Sequence, residues 1–352
     1  MFFLSIFASC ASDSDEEIES EVDDVTPSNL VIDVGITGLN SNNPFGDGSG
    51  VVNFSAQATN ASSYGFIVNS GSEVQSIDGV YQYTFNSVEG IENHDIKVIA
   101  YSSTNNSINT SKIFAVSYYQ GTAPVWADEF FQNGTPNNEN WTYDLGAGGW
   151  GNNELQTYTN TSSNVKVEDG LLKIIAKANG SGYTSSRLKS QGLFQFTYGR
   201  VDVRAKLPAS AGTWPAIWML GANFTSVGWP RCGEIDIMEQ KGWDKNNVLG
   251  TCHWYNTSTS GYAGYGLESS VNNASTEFHV YSVVWDANSI RILQDNVQYF
   301  VMSSSNSSIA NSPFQNDFFL ILNVAMGGNL GGAIDSNFTE DSMEIDYVRV
   351  YQ

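Results

Sequence analysis

Gly233-Glu234-Ile235-Asp236-Ile237-Met238-Glu239 alternates acid with isoleucine from Glu234 to Ile237, and a period of two marks a β-strand with two unlike faces. Glu234 and Asp236 share one face, while Ile235 and Ile237 turn to a core. Strict alternation sends Met238, not Glu239, to the acidic face. One extra residue, taken up as a β-bulge, returns Glu239 to it. The segment therefore predicts a strand that carries three carboxylates along one cleft.

Working outward, the same strand-sized periodicity recurs in GLLKIIAKA (170–178), GRVDVRAKLP (199–208), FHVYSVVWD (278–286), SIRILQD (289–295), FFLILNVAM (318–326) and MEIDYVRVYQ (343–352), joined by Gly, Asn and Ser turns. No long segment has helical period, so residues 121–352 predict a large β-sandwich. Before it, LVIDVGI (30–36), VVNFSAQAT (51–59), YGFIVN (64–69), VYQYTFN (80–86), DIKVIAY (95–101) and KIFAVSYY (112–119) predict a small immunoglobulin-like sandwich over 28–120. The run 52–68 resembles a PKD-type module without its usual acidic turn. A boundary is expected between Tyr119 and Trp126, where Gly121 and Pro124 interrupt the strands. The fold class is thus all-β in two domains.

Residues 1–10 hold a short apolar run that ends in Phe7-Ala8-Ser9-Cys10. Small residues before a cysteine resemble the end of a bacterial lipoprotein signal, although the first basic residue is Lys97 and no positive segment precedes the run. An ordinary cleaved signal is the other reading. Residues 11–27 form an acidic linker, with eight acids and no base between Ala11 and Val25, which cannot bury enough apolar surface to fold. It resembles the tether of surface-exported lipoproteins. The expected place is the outer cell surface as a lipoprotein, or secretion, with the membrane touched only through a lipid on Cys10.

Across 352 residues, 15 Lys+Arg face 37 Asp+Glu, for a net charge of −22. Such a chain repels phosphate backbones and offers no cationic cluster for sulfate esters. Nucleic acid is excluded as a partner, and a neutral polymer fits. Abundant Trp, Tyr, Asn and Ser suit a sugar, whose apolar face stacks on rings, although each aromatic alone also serves a β core. Three cysteines are too few for a disulfide scaffold. Cys232 and Cys252 are either a pair oxidised on export or buried thiols.

Three clustered carboxylates need a cation or a task. A calcium site or a solvated acidic face is one reading. The other is retaining glycoside hydrolysis, which uses two carboxyl groups ~5–5.5 Å apart as nucleophile and acid/base. Glu-Ile-Asp-Ile-Met-Glu resembles the signature of glycoside hydrolase family 16 in the bulged form of its laminarinases. In family order stand WGNNELQTYT (150–159), YTSSRLKS (183–190), GTWPAIWMLG (212–221), GWPRCGEIDIMEQKGW (228–243), CHW (252–254), ILNVAMGG (321–328) and IDYVRVYQ (345–352). The resemblance covers Trp126 to Gln352.

It implies a jelly-roll sandwich that hydrolyses β-1,3-glucan internally, with Glu234 as nucleophile, Asp236 as the assisting aspartate and Glu239 as acid/base. It places Asn152, Arg187, Trp214, Trp218, Trp243 and His253 along the cleft as substrate-binding residues, the tryptophans stacking on glucosyl rings. It also implies a structural calcium ion at Glu129, the backbone of Gly170 and Asp346, where the alternative is surface acids without metal. No cofactor for catalysis is implied, and a monomer is the expected state. A galactan hydrolase of the same family and a non-catalytic surface glycan-binding protein are the rival readings.

Overall fold

The structure is a computed structural model that describes residues 25–40, 44–303 and 313–352. Cys10 and the tether up to residue 24 lie outside the described residues. Contacts divide the chain into two compact units that meet between Tyr118 and Tyr119.

In the first unit, strands Ser28–Ile36, Val51–Thr59 and Val80–Thr84 form one sheet. Val74–Ser76, Ser63–Val68, Gly90–Tyr101 and Ser107–Tyr118 form the other. Alternate residues meet in one core, Val52, Phe54 and Ala56 from the first sheet and Ile96, Val98 and Ala100 from the second. This is the burial that a period of two produces.

The second unit is a two-sheet jelly-roll sandwich. Its ten-stranded sheet includes Leu171–Asn179, Glu340–Tyr351, Gly199–Lys206 and His279–Trp285 as successive neighbours. Its seven-stranded sheet runs Gly261–Ser270, Asn247–Asn256, Glu234–Glu239, Thr213–Gly221, Phe318–Met326, Arg187–Lys189, Thr142–Tyr143. Every residue of Phe318–Met326 is buried, because both faces of this central strand are covered. Phe318, Leu320, Leu322, Val324 and Met326 join the core, while Phe319, Ile321, Asn323 and Ala325 line a cleft.

Tyr119 opens the second unit rather than closing the first. Its hydroxyl donates to Glu129 Oε1 at 3.0 Å, and its ring covers the Arg349 guanidinium at 5.2 Å. Arg349 in turn holds Glu129 through two bonds of 2.8 and 3.1 Å. A chain begun at Tyr119 is therefore expected to melt more stably than one begun at Gly121, which leaves this buried pair short of a partner, by about 1–3 kcal/mol. Urea melts of the two chains check it, and equal midpoints would refute it.

Candidate active site

The catalytic candidates sit where the alternation breaks. On the neighbouring strand Trp218 pairs with Asp236 and Ile217 with Met238, so Ile237 is left without a partner. Ile237 and Met238 both enter the core, and Glu234, Asp236 and Glu239 all line the cleft. The bulge thus puts three carboxylates in successive places on one face. Ile235, Ile237 and Met238 are fully buried, so a shift of register would force acids into the core.

Each carboxylate has a different neighbour. Glu239 is 8% exposed and accepts a hydrogen bond from the Trp214 indole at 2.9 Å. Directly across from Glu234 stands His253, whose Nε2 lies 3.8 Å from Glu234 Oε1 and 3.2 Å from Asp236 Oδ2. Among the described residues no hydrogen bond joins Asp236 to Glu234. The imidazole instead stands against both acids, held on its far side by Tyr262 at 2.8 Å from Nδ1.

Burial dominates the electrostatics. It pushes the Glu239 carboxyl up to about 8, with the Asp236 charge adding to the effect and the Trp214 bond opposing it. Burial also raises Glu234 well above the usual carboxylate range, and Asp236 raises it further, while His253 and Arg187 pull it back. Asp236 is raised by burial. The three carboxyls therefore do not all ionise together near neutrality, and the cluster keeps at least one proton. Glu239, held by a neutral donor, suits a proton donor. Glu234, beside His253 and within the influence of Arg187, suits a charged nucleophile.

The cleft holds about 640 Å³, with Asn152, Arg187, Trp214, Trp218 and His253 among its lining. Trp243 does not line it. It is 59% exposed and packs on Gly332, where φ is 68° and a Cβ would come within 2.7 Å of the indole. Trp214 and Trp218 line the cleft and also have partners within the protein. Trp214 is almost fully buried and spends its N–H on Glu239. Trp218 carries the Arg187 guanidinium over its ring at 4.7 Å, and the Trp150 ring lies 5.0 Å from the same cation. The exposed rings beside the carboxylates are Trp229 and Tyr262, 5.4 Å apart.

A polar relay went unread in the sequence. The Trp218 indole donates to Asn323 Oδ1 at 2.8 Å, Asn323 Nδ2 to Tyr158 at 3.1 Å, and Tyr158 to Glu154 at 3.0 Å. Glu154 also accepts from Gln156 at 2.6 Å and Asn152 at 3.3 Å. A carboxylate with three donors is a satisfied buried charge. Half-buried Lys245 donates to Thr213 O at 3.0 Å and Thr213 Oγ1 at 2.8 Å and meets Gln240 Oε1 at 3.3 Å. It therefore ties together the residues next to Trp214 and Glu239.

Cys232 and Cys252 are free thiols and buried. Arg349 occupies both oxygens of Glu129, and Arg204 bonds Asp346. Gly170 makes a left-handed turn at φ 75°. With each carboxylate facing a guanidinium, the set as arranged does not fit a calcium ion, which needs free hard oxygens.

Residues 152–349 match the profile of glycosyl hydrolases family 16. A beta-glucanase of Rhodothermus marinus is 41% identical over 243 residues, spanning 65% of this chain and 84% of its own. A crystal structure of a LamA variant from Zobellia galactanivorans, in complex with laminaritriose and laminaritetraose, is 46% identical with a TM-score of 0.60, covering 65% of this chain and 99% of that one. The laminarinase structure from Rhodothermus marinus is 40% identical with a TM-score of 0.60, covering 65% and 97%.

Proposed function

The chain belongs to glycosyl hydrolases family 16, and from that membership we propose that it cuts β-1,3-glucan internally with retention of configuration. Its similarity to laminarinases supports the substrate, and the cleft-facing triple of Glu234, Asp236 and Glu239 carries the mechanism. Glu234 attacks the anomeric carbon as a carboxylate. Glu239, kept protonated by burial, gives its proton to the leaving glycosidic oxygen. A glycosyl-enzyme ester forms at Glu234. Glu239, now ionised, takes a proton from water, which attacks the ester and frees the sugar with two inversions completed.

Asp236 stands beside Glu234 on the cleft face, and His253 brings Nε2 within 3.2 Å of Asp236 and 3.8 Å of Glu234. Arg187, fixed by Asp144 at 3.0 Å and by two indoles, presents its remaining N–H groups to sugar hydroxyls. Trp229 and Tyr262 supply exposed ring faces. Parallel assays of reducing-end release from laminarin, mixed-linkage glucan, agarose and carrageenan test this. Release from laminarin with the β anomer first by proton NMR is expected. Activity confined to a galactan, or an initial α anomer, would refute it, and no release at all would favour a glycan-binding protein.

Cys10 is proposed as the lipidated residue of a surface lipoprotein, supported by Phe7-Ala8-Ser9-Cys10 and the acids that follow. Cys10→Ala is expected to move the protein from membrane to soluble fractions on cell fractionation. Identical partition of both forms would sink the anchor.

A further inference from the structure

We propose that the cleft has a second class of ligand, a divalent transition cation of the zinc type, bound by Glu234, Asp236 and His253 in the place of the sugar. Binding stands on the geometry below, and its inhibitory consequence rests on the proposed role of Glu234. One ligand atom from each residue lies within 4.8 Å of the others. His253 Nε2 is 3.2 Å from Asp236 Oδ2 and 3.8 Å from Glu234 Oε1. Two donors each ~2.0–2.1 Å from a tetrahedral zinc ion stand about 3.4 Å apart. The two spacings from Nε2 bracket that value, and the two carboxylate oxygens stand within 4.8 Å of each other.

Asp236 adds an independent observation. It is 3% exposed, and its buried Oδ2 accepts no hydrogen bond among the described residues. A desolvated carboxyl oxygen without a donor costs free energy that a cation would recover. His253 is prepared as a ligand too. Nδ1 stands 2.8 Å from the Tyr262 hydroxyl, and in the tautomer that donates to that hydroxyl the Nε2 lone pair faces the two acids. That outer hydrogen bond is how metal-binding histidines are oriented. The backbone is stiff here as well, since Glu234 and His253 are directly paired residues of adjacent strands.

The donor set selects the metal. One imidazole and two carboxylates suit zinc or copper, whereas calcium seeks six to eight oxygens and magnesium a hydrated octahedron. Three protein ligands leave a fourth position toward the open cleft for water. An ion so placed occupies the Glu234 lone pair that would attack sugar and fills the space of the reacting residue. Glucan and cation then compete for one site.

Calorimetric titration of zinc chloride into the full chain at pH 7, in a non-chelating buffer, tests the site without reference to activity. Wild type is expected to take up one zinc ion. His253→Gln should lose at least tenfold in affinity, and Tyr262→Phe, an exposed position that spares the fold, about tenfold. His279→Gln should match wild type, and calcium chloride should give no binding heat. Absence of zinc uptake by wild type, or equal affinity in His253→Gln, would overturn the proposal. On laminarin, zinc should raise KM and leave kcat unchanged. If the metal-free chain leaves laminarin uncut, the hydrolase reading fails, while the titration still decides the metal site.

Discussion

Glu234→Ala is expected to lower hydrolysis by several orders of magnitude on every substrate, because the atom that attacks the anomeric carbon is gone. A better leaving group should not restore it. Glu239→Ala should lose about 10²–10⁴-fold on laminarin yet keep much of its first step on an activated aryl glycoside, whose leaving group needs little protonation. Azide then separates the roles. In Glu239→Ala it should attack the glycosyl-enzyme and give a β-glycosyl azide, since a small anion needs no general base. In Glu234→Ala it should enter the vacated face and give the α-product. Azide products of the opposite pattern would exchange the two residues. The neighbours argue for the stated assignment: a neutral indole holds Glu239, while Arg187 favours charge on Glu234 and His253 stands directly across from it.

Glu239→Gln is expected to change how stability depends on pH. Folding raises this carboxyl from 4.5 to about 8, chiefly by burial. Between those values the folded chain holds a proton that the unfolded chain has released, so stability falls as pH rises. The contribution is fully present below about 4.5 and lost once pH passes about 8. A glutamine has no such proton to lose. Relative to wild type, the variant should gain stability progressively from pH 5 to pH 8, on the order of a few kcal/mol. Urea melts at several pH values measure this, and a difference that stays flat across the range would refute it. The same proton sets activity. Wild-type kcat/KM on laminarin should fall as pH rises through the region near 8, where Glu239 can no longer donate.

Both expectations start from a feature legible in residues 234–239. A period of two with one surplus residue is local information: it states which side chains share a face before any partner strand is known. The structure has that bulge at Ile237, and the strands of the second unit follow the alternation, with FFLILNVAM spanning Phe318–Met326 residue for residue. The acids, the two-faced strands and the all-β architecture were therefore determined by the sequence itself.

What each cleft side chain does was decided only by the tertiary structure. Trp214 and Trp218 read alike in GTWPAIWMLG, yet one indole bonds Glu239 and the other bonds Asn323 beneath Arg187. Those partners lie 25 and 105 residues away in the chain, and strand order, not local periodicity, brings them together. Glu154 shows the same limit. Its hydroxyl partner Tyr158 is close in sequence, but Asn323, which completes the relay, is 165 residues from Tyr158. Trp243 lies near Glu239 in sequence, but past the strand end it settles on Gly332 instead of lining the cleft. Periodicity selects the face of a strand, whereas the neighbours on that face depend on register and sheet order, which are properties of pairing between distant segments.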